Sequence, residues 1–158
     1  APPVVAPAMP TDAFAPTRVS IPSIELDEGL VDLGLTDTGE MEVPSDFDDV
    51  GWFTGGGRPG GYGPTVLAGH VDSTTGPAVF DRLPELAVGE LVTVTDESGR
   101  VARYRIERTA DYAKSEFPTA MVFGATRTDE IRLITCSGAF DAAVGSYERN
   151  VVVFGSRV

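Results

Sequence analysis

The chain has a single cysteine, Cys136, and a single histidine, His70. A thiol becomes a strong nucleophile when it ionises, and a nearby imidazolium or guanidinium favours the thiolate. An imidazole can also give a proton to a leaving amine. An arginine stays charged at physiological pH and carries several donors in a fixed fork. That fork suits a peptide carbonyl, or the oxyanion that forms on attack. Arg149 offers it. Cys136, His70 and Arg149 together make a complete set for acyl transfer. Each alone has a plainer account: a buried small hydrophobe, a hydrogen-bonded structural imidazole, a surface charge. Position joins them. His70 follows the apolar run Thr65–Ala68, Cys136 ends a strand that begins near Glu130, and Arg149 precedes the run Val151-Val152-Val153-Phe154. Strand ends present side chains to a cleft while the sheet holds their backbones still.

Period-two alternation adds a constraint. If Ile131, Leu133 and Thr135 share one face of their strand, Arg132, Ile134 and Cys136 share the other.

The same counts exclude other chemistries. One cysteine rules out an internal disulfide and a cysteine-cluster metal site, and one histidine rules out a multi-histidine site. The acids form no D-x-D-x-D-G-like calcium loop. Lys and Arg number 12 against 24 Asp and Glu, a net charge of -12. That balance argues against nucleic-acid binding, which needs clustered basic residues. It suits a solvated surface or cationic partners. No run approaches the roughly 20 apolar residues that cross a bilayer.

The elements that must carry these residues read as short strands. Residues 1–16 are rich in Ala and Pro, which suits an extended linker or tail, and residues 17–158 form the domain. Arg18–Ile21, Leu30 to Leu33, Thr65–Ala68, Leu91–Thr95, Ala102 to Ile106, Ile131 to Leu133 and Val151 to Phe154 all carry strand patterns. Asp96-Glu97-Ser98-Gly99 is hairpin-turn chemistry. Short helical turns are expected at 45–49, capped by Ser45, within 77–86, and at 118–123. Many short strands with little helix argue for an all-β barrel or sandwich.

Three separated stretches then carry a family resemblance. Leu133-Ile134-Thr135-Cys136-Ser137-Gly138 resembles the Thr-Leu-x-Thr-Cys signature of sortases, with Cys136 at the nucleophile position and Arg132 where the signature has its first Thr. Val66-Leu67-Ala68-Gly69-His70-Val71-Asp72-Ser73 resembles the segment bearing the catalytic histidine. Tyr147-Glu148-Arg149-Asn150-Val151-Val152-Val153 resembles the segment bearing the catalytic arginine. Met41-Glu42-Val43-Pro44, Val50-Gly51-Trp52-Phe53 and Gly76-Pro77-Ala78-Val79-Phe80 are similar to the actinobacterial class F subgroup.

The resemblance implies a closed β-barrel of about eight strands. It implies a cysteine transpeptidase acting on secreted proteins with an LPxTG-like (Leu-Pro-x-Thr-Gly) sorting signal. Cleavage between Thr and Gly would leave a thioacyl group on Cys136. An amine of the cell wall, on a peptidoglycan precursor or a Lys, would then accept it. His70 and Arg149 would complete the catalytic set, with Thr135 and Arg132 on the substrate side. No cofactor and no metal are implied. The protein would work outside the cytoplasm, tied to the membrane only through an N-terminal anchor absent from this chain. The alternative is a non-catalytic cell-surface β-barrel binding module with a buried, inert Cys136.

Overall fold

The computed structural model describes residues 13–37, 39, 41–73, 76–113, 116–141 and 146–158; for 72, 73, 76, 136–141 and 146–149 it describes the backbone path alone. Ten strands follow in order: β1 (Arg18–Ile21), β2 (Leu26–Leu33), β3 (Val50–Phe53), β4 (Thr65–Ala68), β5 (Asp72–Ser73), β6 (Gly76–Pro77), β7 (Leu91–Thr95), β8 (Val101–Ala113), β9 (Glu130–Asp141) and β10 (Ser146–Arg157). One short helix, α1 (Thr119–Phe123), lies between β8 and β9. Eight strands close an all-β barrel in the order β1-β2-β3-β4-β9-β10-β8-β7, and β5 and β6 form a separate hairpin. This is the closed barrel of about eight strands that the family resemblance implies, and it decides between the barrel and the sandwich that the strand pattern leaves open. Two neighbouring pairs, β2 with β3 and β4 with β9, run parallel.

Alternation explains most of the wall. In β8, Ala102, Tyr104 and Ile106 are buried while Val101, Arg103 and Arg105 face water. They join Val19, Ile21, Trp52, Leu67, Leu133 and Val153 in the core inside the barrel. The centre of the sheet is different. Every residue of β4 is buried. Its outer face, with that of β9 and β10, is covered by a second apolar cluster containing Val66, Ala68, Val122, Ile134, Val152 and Phe154. Strands buried on both faces lose their polar alternation and read as continuous apolar runs.

One local expectation meets a different outcome, and another is met by less helix than the pattern allows. Residues 45–49 form a turn, not a helix: the Asp46 carboxylate accepts the Asp48 N–H at 2.9 Å, and the Asp46 carbonyl accepts the Asp49 N–H at 3.2 Å. An Asp side chain that bonds its own backbone two residues on competes with helix formation. Within 77–86 only Leu83–Glu85 forms a single 3-10 turn. Pro77 is drawn into β6, and Pro84 cannot sit inside a longer helix. At the other end, Phe14 and Pro16 are buried, and Phe14 donates its N–H to the Pro59 carbonyl at 3.0 Å. Packing against the barrel therefore begins by Phe14; residues 1–12 lie outside the described residues.

Candidate active site

The parallel pair β4 and β9 builds the frame. Thr65 pairs with Ile131, Leu67 with Leu133 and Ala68 with Ile134. The Gly69 N–H continues the ladder to the Ile134 carbonyl at 3.1 Å. Two residues past Ala68 comes His70, and two residues past Ile134 comes Cys136. Neighbouring parallel strands lie about 4.8 Å apart, so the two backbones leave their paired stretch in step, and β9 alone continues as a strand. On its other side, β9 pairs with β10: Cys136 is opposite Asn150, and Ser137 is opposite Arg149. Arg149 in turn pairs with Ala113 of β8. The sequence expectation of three strand ends is met only by His70, two residues past the end of β4; the backbone of Cys136 lies inside β9 and that of Arg149 inside the neighbouring β10, because β9 and β10 go on pairing with each other beyond them. The side chains of Cys136 and Arg149 lie outside what is described.

His70 is half-buried and held on two sides. Its Nε2 lies 2.7 Å from the Pro44 carbonyl oxygen. A carbonyl can only accept, so Nε2 carries the proton and donates it. The ring meets Phe47 nearly edge-on, with centroids 4.8 Å apart and planes at 64°. The His70 carbonyl accepts the Phe80 N–H at 2.9 Å. Just before it, only glycine fits. A Cβ at Gly69 would stand 2.9 Å from both Phe80 Cδ2 and Val79 Cγ1.

An open groove of about 640 Å³ lies over the outer face of β9. Leu35, Met41, Phe53, Phe117, Phe123 and Ile134 supply its apolar walls, and Asn150 adds a polar group. Ile134 is two residues from Cys136 on the same strand, and Asn150 is the register partner of Cys136. Sequence reasoning passed over Asn150. The signal was present, since alternation from Val152 assigns position 150 to the outer face.

Thr135 and Arg132 stand apart from this groove. Thr135 is 2% exposed and pairs with Val151 on the inner face. Its hydroxyl makes no hydrogen bond among the described residues. Arg132 is on the outer face but 5% exposed, four residues from Cys136, about 13 Å along a strand. Its Nη2 bonds Glu130 Oε1 at 2.9 Å and its Nη1 bonds the Ile131 carbonyl at 3.1 Å. The guanidinium carbon lies 4.7 Å from the Phe154 ring centre, and that of Arg108 lies 3.7 Å from the same centre. Burial pushes the Glu130 carboxyl up, but hydrogen bonds from Thr128 and Arg132, with the charge of Arg132, outweigh it and hold the group below its usual range. Among the described residues no three His, Cys, Asp or Glu gather to hold a metal ion.

The sortase domain family model matches residues 19–158, nearly the whole chain and all eight barrel strands but the first residue of β1. The chain belongs to the sortase family. Members of this family are cell-wall transpeptidases that act on sorting-signal proteins and amine acceptors at the cell surface. This sortase is similar in structure to sortase C-1 from Actinomyces oris, with 26% identity and a TM-score of 0.65 over 92% of this chain and 76% of that one. It resembles sortase C1 from Streptococcus agalactiae at 21% identity and a TM-score of 0.67, over 90% of this chain and 66% of that one. It also resembles sortase A from Corynebacterium diphtheriae at 20% identity and a TM-score of 0.65, over 93% of this chain and 62% of that one. The chain therefore spans 62–76% of the length of these three structures. No curated protein sequence matches it. Among the described residues no helix is long and apolar enough to cross a membrane.

Proposed function

We propose that this sortase is a class F cysteine transpeptidase that cleaves an LPxTG-like signal between Thr and Gly. The sulfur of Cys136 attacks the Thr carbonyl carbon. A C–S bond forms, the C–N bond breaks, and the glycine amine leaves with a proton from His70. A cell-wall amine then attacks the thioester, its C–N bond forms, and the thiolate departs while the proton returns to His70. Arg149 holds the oxyanion of each tetrahedral intermediate. The apolar groove takes the leading side chains of the signal, and Asn150 meets its backbone. Thr135 and Arg132 support the groove from outside it: Arg132 ties β9 down through Glu130 and the Ile131 carbonyl, and Thr135 packs into the inner face of the same strand. The class F reading rests on Met41-Glu42-Val43-Pro44, Val50-Gly51-Trp52-Phe53 and Gly76-Pro77-Ala78-Val79-Phe80. An N-terminal membrane anchor beyond this chain would keep the domain at the cell surface.

One observation supports the reading: the parallel register that pairs Ala68 with Ile134 and so leaves His70 and Cys136 each two residues beyond the last paired position. The test is mass spectrometry of the protein with a sorting-signal peptide. A thioacyl adduct should appear on Cys136, and Cys136→Ala should abolish both adduct and cleavage while the barrel stays folded. Cleavage retained in Cys136→Ala sinks the proposal.

A further inference from the structure

We propose that residues 41–49 form a fixed strap that sets the orientation and the proton-bearing nitrogen of His70, with Phe47 as its positioning residue. The inference rests on the reading of His70 as the proton donor. The strap is tied down along its length. At its start, Leu35 bridges Met41, the Glu42 N–H reaches the Gly34 carbonyl at 2.9 Å, and the Glu42 carboxylate accepts the Gly34 N–H at 2.7 Å. At its centre, the Phe47 carbonyl accepts the Val79 N–H at 3.1 Å, beside the Phe80 N–H that holds His70 itself. The Asp46 turn closes it before β3. Within the strap Pro44 is buried, and its carbonyl oxygen lies 2.7 Å from Nε2.

The geometry has a chemical consequence. Nε2–H is committed to Pro44 in the neutral ring and in the imidazolium alike. Only Nδ1 is left to give and take the proton. The ring can therefore cycle between charge states without turning over. Phe47 blocks the alternative orientation by standing edge-on to the ring. It is 42% exposed and belongs to neither core cluster, so its main contact of consequence is the imidazole.

His70 is the chain's only histidine, so its ring signals are unambiguous in NMR. The folded protein should show an Nε2–H proton in slow exchange with water. Phe47→Ala should speed that exchange and lower kcat on a sorting-signal peptide by about threefold to tenfold, the scale of one edge-on aromatic pair. KM should hold, and Phe47→Tyr should recover most of the loss. A rapidly exchanging Nε2–H in the unaltered protein overturns the inference, as does Phe47→Ala with undiminished kcat. If His70→Gln keeps full activity, the proton-donor reading fails instead, and the Nε2–H signal still reports whether the strap holds the ring.

Discussion

Replacing Gly69 by Ala tests the frame with one methyl group. The new Cβ would lie 2.9 Å from Phe80 Cδ2 and from Val79 Cγ1, against an ordinary contact of 3.4–4 Å. The neighbours or the backbone must open by about 0.5–1 Å to reach ordinary contact. Phe80 is fully buried in the inner core and has little room to retreat. Overpacking of this kind costs about 1–3 kcal/mol. The backbone is the easier part to move, because one hydrogen bond, from Gly69 N–H to Ile134, ties it to β9 here. A shift of that size displaces His70 from Cys136, and a misplacement of about 1 Å can cost about 10²-fold in rate. Gly69→Ala should therefore remain folded, lose about 1–3 kcal/mol in urea denaturation, and lose about 10²-fold in kcat/KM on a fluorogenic sorting-signal peptide. Val79→Ala in the same chain removes one of the two close contacts. It should return part of both losses, giving a coupling in a double-mutant cycle. Full activity in Gly69→Ala, or losses in the double variant that simply add, would refute the argument.

Arg132→Met separates a structural from a direct substrate role. Glu130 keeps its bond from Thr128 and some access to water, so the loss should be about 1–3 kcal/mol, below that for a fully buried broken pair. Peptide KM should stay within about threefold of the unaltered protein; a tenfold rise at intact stability would put the guanidinium in the substrate path. Tyr104 donates to Asp129 at 2.6 Å, while Asp129 also holds Arg157 at 2.7 Å and the Gly60 N–H at 2.9 Å. Tyr104→Phe should therefore cost only about 1–2 kcal/mol, because the carboxylate keeps two partners. Burial, then the hydrogen bond and charge of Asp129, push the Tyr104 hydroxyl well above its ordinary value. The unfolded chain gives up that proton first, so the contribution is complete below about pH 10 and declines above it. Denaturation from pH 8 to 11 should show a shallower alkaline loss in Tyr104→Phe, and parallel curves would contradict the assignment.

The residue types alone determined the chemistry on offer: one thiol, one imidazole and an arginine before an apolar run. Strand patterns placed β1, β4 and β7 at their observed bounds, because alternation or a compact apolar run is local information. The far halves of β9 and β10 were not legible. Residues 137–141 and 146–149 hold one strand former each, Phe140 and Tyr147, among small and charged residues with no alternation to mark a strand, and their path comes from pairing with each other. Residues 45–49 went the same way, because the Asp46 turn and the bond from Val79 outcompete a helical cap.

The groove needed the whole tertiary structure, since Leu35, Phe53, Phe117 and Ile134 are far apart in the chain and meet only on the barrel's outer face. So did the place of Asn150 opposite Cys136, and the hold of Pro44 and Phe47 on His70. Sequence could name Cys136 and His70, because reactivity belongs to the side chain. Only the parallel register of β4 and β9 could bring their backbones to neighbouring parts of the sheet, because that pairing is a long-range choice made by two-sided burial of the sheet.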